Sequence, residues 1–441
     1  MTRYWARHAW LSPGSLADGM LASIEDGRFA SVEIGVASPP PDATRLEGLT
    51  LPGFANVHSH AFHRGLRGRT HAGKGTFWTW RDRMYALADR LTPETYGALA
   101  RACFAEMVQA GVTCVGEFHY LHHGPGGARY DDPNEIGHRL MAAAAEAGLR
   151  ITLLDTVYLS STVDGGALKG PQLRFGDGSV SAWASRYSRL VLGVSARAGT
   201  AVHSVRAVPR AALKEIAAMA GSPVHVHLSE QRAENEAALA AYGLTPTQLL
   251  DDAGLVSPSL TAVHATHLSD EDRVLLGDAG ASVCFCPTTE RDLADGIGAA
   301  RPLVDAGARL CLGSDSHAVI DLLEEARAVE LDERLRDEHR GHFDADELLA
   351  AATVDGHRAL GWSDAGTIAV GARADLVTVR LDTVRTAGYA PDQVAAAAVF
   401  AATAADVTDV VVDGRPVVRS GAHLSIDVPA ALEAAIEAAW A

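Results

Sequence analysis

The sequence predicts an α/β protein: a (β/α)8 barrel with a small discontinuous β-sandwich domain built from both termini. Eight apolar, strand-like runs alternate with helical patterns through the middle of the chain, which indicates a parallel barrel. Both ends instead carry short alternating runs around Asp-Gly turns, which are typical of β-hairpins. A chain of 441 residues also exceeds the usual limit of a single core unless that core is an α/β barrel.

The terminal segments predict the small domain. Short alternating runs flank Asp26-Gly27 near the start of the chain and Asp413-Gly414 near its end. Such two-residue turns join neighbouring antiparallel strands. We therefore expect residues 1–50 and 366–441 to form the two parts of one β domain, and residues 51–365 to form the catalytic barrel.

The barrel strands are predicted as apolar runs bounded by turns or helical patterns. In chain order they are LTLPGFANV, GVTCVGEF, RITLLDTV, RLVLGVSA, PVHVHL, LTAVHA, ASVCFC and RLCLGSD. Segments such as PETYGALARACFAEMVQAG, PRAALKEIAAMAG and SDEDRVLLGDAG supply helices between them. Catalytic groups of such barrels lie just past the carboxyl ends of the strands, so polar residues at those points are the first candidates for a site.

Composition and charge argue against several classes of partner. Lys and Arg number 38 against 55 Asp and Glu, a net charge of −17, which disfavours nucleic acid or an anionic membrane. The first residues contain no continuous apolar signal region, and no apolar run reaches membrane-spanning length. Five cysteines, an odd count, indicate reduced thiols. We expect a soluble, cytoplasmic protein whose local arginines still permit an acidic small molecule as substrate.

Polar side chains do cluster where the predicted barrel strands end. His58 and His60 follow the first strand, and residues i and i+2 of a strand point to the same face. Neutral imidazoles with a carboxylate bind a divalent ion and leave room for water. The pattern predicts a metal centre at the barrel mouth. The other candidates are Glu117 and His119 after the second strand, His225 and His227 after the fifth, His264 after the sixth and Asp315 after the eighth.

The histidines and the GSDSH segment together resemble the amidohydrolase superfamily, in which a metal at the barrel mouth activates water for hydrolysis. The resemblance implies a TIM barrel of amidohydrolase type and one metal ion per chain, zinc or another divalent ion such as Fe2+. A second metal would need a lysine or glutamate after the fourth strand, and LVLGVSARAG offers neither. His225 shares a strand face with His227 and is the rival ligand, placed deeper in the barrel. The implied ligands are His58, His60, His227 and Asp315.

The same resemblance implies the catalytic groups. Glu230 lies three residues beyond His227 in HVHLSEQ and would carry a proton to the leaving nitrogen. His264 in VHATH would polarise the substrate or stabilise the developing charge. Asp315 counts as catalytic besides being a ligand, because the metal that it helps to hold lowers the pKa of a bound water to roughly 7.

Longer motifs narrow the resemblance to the formimidoylglutamate deiminases of histidine degradation. They cover nearly the whole chain: HSHAF, FWTWRDRMYALADRLTPE, GEFHYLHH, HSVRAV, HVHLSEQ, VHATHL, CPTTERDLADGI and GSDSH. Those enzymes hydrolyse N-formimidoyl-L-glutamate to N-formyl-L-glutamate and ammonia. The resemblance therefore implies this reaction, and a homodimer, for the present chain.

A substrate with two carboxylates calls for arginine forks supplemented by tyrosine and histidine donors. The positions that match the family's substrate-binding residues are Arg81, Tyr120, His203 and Arg206. His63 stands where the family has glutamine, and a histidine presents its donor and acceptor at a different reach. We expect His63 to face the substrate.

Three alternatives remain open from the sequence. His63 allows another N-formimidoyl amino acid, such as N-formimidoyl-L-aspartate. A deaminase of a nucleobase-like heterocycle would share the metal but would need aromatic stacking and amide contacts. A metal-carrying barrel without activity is the third alternative, which the joint presence of Glu230 and His264 opposes.

Overall fold

The computed structural model describes residues 2–71 and 75–441. Its strands form two sheets of eight, one that closes into the barrel and one that combines strands from both termini. The predicted fold class is thereby confirmed. In chain order the strands are β1 (Thr2–Ser12), β2 (Ser15–Glu25), β3 (Arg28–Ile34), β4 (Thr44–Pro52), β5 (Phe54–Ser59), β6 (Val112–His119), β7 (Arg150–Val157), β8 (Ala196–Val202), β9 (Val224–Leu228), β10 (Leu260–His264), β11 (Ser282–Phe285), β12 (Arg309–Leu312), β13 (Leu376–Val379), β14 (Val407–Val412), β15 (Arg415–Arg419) and β16 (Ala422–His423).

Strands β5 to β12 lie side by side in sequence order, and every neighbouring pair is parallel. Backbone bonds close the circle between its first and last strands. The Asp315 amide donates to the His58 carbonyl at 2.9 Å, and the His60 amide donates to the Asp315 carbonyl at 3.2 Å. The Asn56 side chain adds two hydrogen bonds to Ser314 at the same seam. Metal-site candidates from the two ends of the barrel sequence are thus brought together by the closure itself.

The fourth barrel strand lies later than predicted. The run RLVLGVSA was expected to form it, but β8 begins only at Ala196, and Val191 and Val194 of the run are exposed. An apolar run of this length does not by itself distinguish a strand from a loop. The true strand, ARAGTAV, is less apolar because Arg197 lies in it, where its guanidinium stacks on Trp362 at 4.2 Å.

The terminal strands pair in the order β16-β15-β14-β13-β4-β1-β2-β3. Hydrogen bonds join them into one continuous mixed sheet. Only β1 and β4 are parallel within it. Its apolar face buries Tyr4, Met20 and Phe29 against Ile368 and Leu376. Residues from both ends of the chain therefore share one small core, as the terminal patterns predict.

Fifteen α-helices are described between residues 77 and 440, and most of them cover the barrel. Many begin at capping boxes; Thr92 and Thr95, for example, exchange side-chain to backbone bonds at the start of the second helix. In chain order they are α1 (Phe77–Arg90), α2 (Pro93–Gln109), α3 (Glu135–Ala147), α4 (Val180–Tyr187), α5 (Arg210–Met219), α6 (Arg232–Tyr242), α7 (Pro246–Asp252), α8 (Asp270–Asp278), α9 (Pro287–Leu293), α10 (Ala300–Asp305), α11 (Leu322–Asp337), α12 (Ala345–Ala352), α13 (Val354–Ala359), α14 (Val394–Ala401) and α15 (Val428–Trp440).

Two features of the helical layer position the site. Helix α1 contacts both of the short 3₁₀ turns beside the barrel mouth, Ala61–Leu66 and Gly170–Arg174. Helix α15, at the end of the chain, packs on α2, and the Trp440 indole donates to the Gly65 carbonyl at 2.9 Å. Among the described helices, none is both long and apolar enough to cross a membrane.

Candidate active site

Four buried side chains converge at the carboxyl end of the barrel. His58 lies in β5 and His60 directly follows it, so the pair projects from one face of the strand. His227 comes from β9, and Asp315 follows β12. One ligand atom from each of the four lies within 4.8 Å of the others. The structure thus brings together all four residues that the sequence predicts as metal ligands.

Four of the separations between these atoms are those expected of ligands that share one ion. His227 Nε2 lies 3.1 Å from His58 Nε2 and 3.3 Å from His60 Nε2. Asp315 Oδ1 lies 3.3 Å from His58 Nε2 and 3.4 Å from His60 Nε2. Ligands at zinc bond lengths of ~2.0–2.1 Å occupy tetrahedron corners about 3.3 Å apart. These four distances are therefore compatible with one shared divalent ion.

Backbone carbonyls fix the protonation of two of the imidazoles. His60 Nδ1 donates to the Phe118 carbonyl at 3.0 Å, and His227 Nδ1 donates to the His203 carbonyl at 2.8 Å. A carbonyl can only accept, so each Nδ1 carries the proton and each Nε2 presents a lone pair. The lone pairs of His60 and His227 face each other at 3.3 Å and repel unless a cation lies between them. The donor set therefore fits a metal.

His225 does not join this group. Its Nε2 donates to the Ala359 carbonyl at 3.2 Å, and burial lowers its pKa to about 3. Glu117 does not ligate either. Its carboxylate accepts from Ser59 Oγ at 2.6 Å and from the Ala61 amide at 2.7 Å, which fixes the backbone on both sides of His60.

The backbone around the ligands is strained. Asp315 has a φ of 41° and His264 a φ of 68°, both in the left-handed region that costs non-glycine residues free energy. A Cβ at Gly313 would lie 2.8 Å from His58 Cβ, so only glycine allows β12 to approach that ligand. Burial alone would raise the pKa of Asp315, but its hydrogen bond to His58 and the charge of His264 hold the pKa well below its usual range.

Two further polar groups face the four ligands. His264 Nε2 lies 3.8 Å from Asp315 Oδ2 and 4.0 Å from Glu230 Oε1, and its Nδ1 lies 3.2 Å from Glu290 Oε1. Burial alone would lower the pKa of His264, but the Glu290 bond and the charges of Glu230 and Asp315 outweigh it and raise the pKa to about 10. Burial raises the pKa of Glu230. His264 and Glu230 can therefore hold and move a proton next to the metal ligands.

A cavity of about 580 Å³, including its part open to solvent, extends outward from these groups. All five residues predicted to bind substrate line it together with His60, His227, Glu230, His264 and Asp315. The five are His63, Arg81, Tyr120, His203 and Arg206.

The predicted substrate-binding residues come from four segments. Arg81 lies on α1 and stacks on Trp78, its guanidinium carbon 4.4 Å from the ring centre, and its Nε is buried without a hydrogen-bond partner. Arg206 follows β8, with Nη1 4.0 Å from Glu234. His63 Nε2 and Tyr120 Oη are 3.0 Å apart. Burial lowers the pKa of His63 to about 3, so its imidazole is neutral.

Sequence reasoning missed several residues of the cavity wall. Tyr158 directly follows β7, and the rule that strand ends carry the site could have identified it. Tyr85 lies one helical turn after Arg81 and therefore on the same face of α1. Trp80, on the same helix, also lines the cavity. For Phe175 and Leu293, which lie in loops and short helices, the sequence carries no comparable signal.

A second cluster with metal-ligand chemistry lies behind the barrel wall and consists of His119, His122 and Asp155. Asp155 is already bound by Arg186 through two bonds of 2.7 Å and by the Trp183 indole at 2.7 Å. Burial raises the pKa of Asp155, but the Arg186 charge outweighs it and lowers the pKa to about 2. A guanidinium beside the carboxylate opposes a cation, so this cluster is an ion-pair network that supports the β6 loop.

Comparison with known proteins agrees with this architecture. Residues 49–417 match the amidohydrolase family. The chain is 36% identical to formimidoylglutamate deiminase of Pseudomonas aeruginosa over 434 residues, covering 95% of this chain and 93% of that protein. A crystal structure of an amidohydrolase from Brucella melitensis is 34% identical, covers 100% of both chains and superposes with a TM-score of 0.91.

A more distant structure shares the fold. An adenosine deaminase from Xanthomonas campestris with bound zinc is 24% identical, with a TM-score of 0.83 over 99% of this chain and 97% of that one. The family match spans most of the sequence, and it includes the four ligands, Glu230 and His264. The chain belongs to the amidohydrolase family.

Proposed function

We propose that this amidohydrolase is a zinc-dependent deiminase that hydrolyses N-formimidoyl-L-glutamate to N-formyl-L-glutamate and ammonia, as a homodimer. The observation that carries the proposal is the pairing of two guanidinium groups, Arg81 and Arg206, with three of the four ligands, His60, His227 and Asp315, in one cavity. A small dicarboxylate would satisfy both cations while its formimidoyl group reaches the ligands. The similarity to the Pseudomonas aeruginosa deiminase supports the same substrate.

His58, His60, His227 and Asp315 would hold the ion. When bound, a divalent metal supplies Lewis acidity that makes water a nucleophile near neutral pH. A site of three imidazoles and one carboxylate favours zinc, with Fe2+ as an alternative.

Glu230 moves the proton in the proposed reaction. Water oxygen forms a bond to the formimidoyl carbon, the bond from that carbon to the terminal nitrogen breaks, and ammonia leaves. Glu230 accepts the proton of the attacking water and delivers it to the departing nitrogen. Burial raises the pKa of Glu230, which favours the protonated carboxyl group that the departing nitrogen needs.

His264 stabilises charge in the same step. Its Nδ1 is held by Glu290 at 3.2 Å, so its Nε2 stays directed toward Glu230 and Asp315. A cationic imidazole at that point favours the negative charge that develops on the attacking oxygen.

His63 decides between the two closest substrates. Its imidazole is buried and bonded to Tyr120, so it presents a fixed surface beside the cavity. We propose glutamate as the amino acid, with N-formimidoyl-L-aspartate as the alternative. Steady-state kinetics on both substrates, in the natural protein and in His63→Gln, distinguish them. The natural protein should have the higher kcat/KM for N-formimidoyl-L-glutamate, and the variant should change the ratio of the two kcat/KM values.

The function is tested by metal content and by ammonia release. We expect one zinc ion per chain by elemental analysis and release of ammonia from N-formimidoyl-L-glutamate, with a dimer by light scattering. The compounds tested for comparison are N-formimidoyl-L-aspartate, guanine and cytosine. Release from a heterocycle, with none from any formimidoyl amino acid, would refute the proposal.

A further inference from the structure

Two tyrosines of the cavity wall have no role in the reaction described above. Tyr85 lies on α1, one turn beyond Arg81, and Tyr158 follows β7 directly. Both line the cavity, and Tyr158 is buried. Behind them lies Gln172, in the 3₁₀ turn Gly170–Arg174. Its amide nitrogen donates to Tyr85 Oη at 3.3 Å and to Tyr158 Oη at 3.2 Å.

The orientation of the Gln172 amide is fixed by its other end. Gln172 Oε1 accepts from the Lys169 backbone amide at 3.2 Å, so the NH2 group must face the tyrosines. An amide nitrogen has two hydrogens and accepts nothing. Each phenol oxygen therefore acts as acceptor toward Gln172, and each hydroxyl hydrogen is left for another acceptor.

The surroundings of the two hydroxyls favour an anion as that acceptor. The Arg81 guanidinium carbon lies 5.5 Å from the Tyr85 ring centre, and the charge of Arg206 acts on both phenols. The hydroxyls lie within bonding reach of one another, but an ionised acceptor forms the shorter and stronger bond. Two guanidiniums and two hydroxyl donors at one wall match the lone pairs of a carboxylate.

We propose that Tyr85 and Tyr158 are specificity-determining residues that donate their hydroxyls to one carboxylate of the substrate, with Gln172 as the positioning residue that sets their polarity. This inference rests on the proposed function, because it requires an acidic substrate. It adds the identity of the neutral hydrogen-bond donors that recognise that substrate.

Removal of each hydroxyl tests the proposal. In Tyr85→Phe and Tyr158→Phe we expect the KM for N-formimidoyl-L-glutamate to rise about tenfold, the typical cost of a lost bond to a charged group, with kcat within about twofold. The same variants are also tested with two analogues of the substrate, each of which lacks one carboxylate. For the analogue that lacks the recognised carboxylate, removal of either hydroxyl should leave the KM unchanged. Tyr187→Phe is the control, because that ring stacks on Trp183 outside the cavity lining. Equal effects on all three substrates, or no effect, would overturn the proposal.

Two substitutions of Gln172 separate polarity from packing. Gln172→Glu keeps the bond to the Lys169 amide but turns the donor into an acceptor, which would draw both hydroxyls away from the substrate. Gln172→Met fills similar volume and leaves the hydroxyls free. We expect KM to rise at least tenfold in the Glu variant and clearly less in the Met variant. A purely structural role predicts equal effects in both variants, and that result would remove Gln172 from the proposal.

Binding of N-acetyl-L-glutamate, measured by calorimetry on the metal-loaded protein, separates this inference from the proposed reaction. If the natural protein binds this dicarboxylate and both phenylalanine variants weaken it about tenfold, the carboxylate subsite stands even if no formimidoyl substrate is turned over. If the variants bind it as tightly as the natural protein does, the subsite is refuted, whatever the activity.

Discussion

Two backbone carbonyls determine what the metal-site histidines can bind. The carbonyls of Phe118 and His203 accept the Nδ1 protons of His60 and His227, and both rings therefore direct lone pairs toward the barrel axis. Asp315 supplies the one negative charge of the ligand set and touches the imidazoles of His58 and His60. At the scale of single residues, the site depends on this carboxylate.

Asp315→Asn should abolish both tight metal binding and turnover. The amide keeps the shape of the side chain but removes the negative charge that balances the ion. We expect less than one metal ion per chain after dialysis, by elemental analysis, and no ammonia release above background. Asp278→Asn, at the exposed end of α8, should match the natural protein in both measurements. A fully active, metal-free Asp315→Asn protein would contradict the assigned ligand set.

Glu230→Gln separates proton transfer from metal binding. Glutamine preserves size and hydrogen bonding but cannot carry the proton, and general acid–base groups contribute about 10²–10⁴-fold to rate. We expect kcat to fall within that range while the metal content stays at one ion per chain. Glu236→Gln, exposed on α6, is the matched control. A variant with unchanged kcat would assign the proton transfer to another group.

At the scale of elements, one buried arginine ties α1 to the rest of the cavity wall. Arg174 donates to the Leu91 carbonyl at 2.7 Å and to the His123 carbonyl at 2.9 Å, and it also bonds the Ala88 carbonyl. Its own carbonyl accepts from the backbone amide of His123. The end of α1, the loop after β6 and the 3₁₀ turn Gly170–Arg174 are thereby held together, and all three carry or support residues of the cavity.

Arg174→Lys should loosen this junction. Lysine keeps the charge, but its compact ammonium cannot reach three carbonyls in a planar fork. We expect the free energy of unfolding to fall by about 2–3 kcal/mol, because buried charged bonds are lost. The KM should rise with little change in kcat, because α1 carries Arg81 while the metal ligands lie on other elements. Urea unfolding and steady-state kinetics measure both. Arg83→Lys, exposed on the same helix, should change neither; an unaltered KM in Arg174→Lys would show that α1 is held by other contacts.

The same elements explain how far the sequence alone could predict the site. His58, His227, His264 and Asp315 each lie at the end of a barrel strand, so a rule about strand ends suffices to predict their convergence. Gln172 and Arg174 lie in the long connection between β7 and α4, and their partners are distant in sequence. Such contacts leave no periodic pattern. Strand β8 was misplaced for a related reason: its Arg197 is stabilised by stacking on Trp362, a contact made only in the folded chain.

At the scale of the whole molecule, a buried ion pair joins the barrel to the terminal sheet. Arg150 is the first residue of β7, and Asp375 directly precedes β13; both side chains are 1% exposed and make a two-pronged contact. The guanidiniums of Arg150 and Arg373 lie 5.2 and 4.9 Å from the Trp362 ring centre. Burial alone would raise the pKa of Asp375, but the Arg150 charge outweighs it and lowers the pKa.

Asp375→Asn should therefore destabilise the protein in a pH-dependent way. Removing one partner leaves Arg150 buried without its main counter-charge, which typically costs about 3–5 kcal/mol. Because the folded pKa of Asp375 lies below the unfolded value of about 3.9, its contribution is complete above that pH and is lost as pH falls below it. Urea unfolding should show the full difference between variant and natural protein at pH 7 and a smaller one at pH 3. Asp392→Asn, at an exposed position of the same terminal segment, should show neither effect. A difference that is the same at both pH values would mean that Asp375 stabilises the junction through shape and hydrogen bonding rather than through its charge.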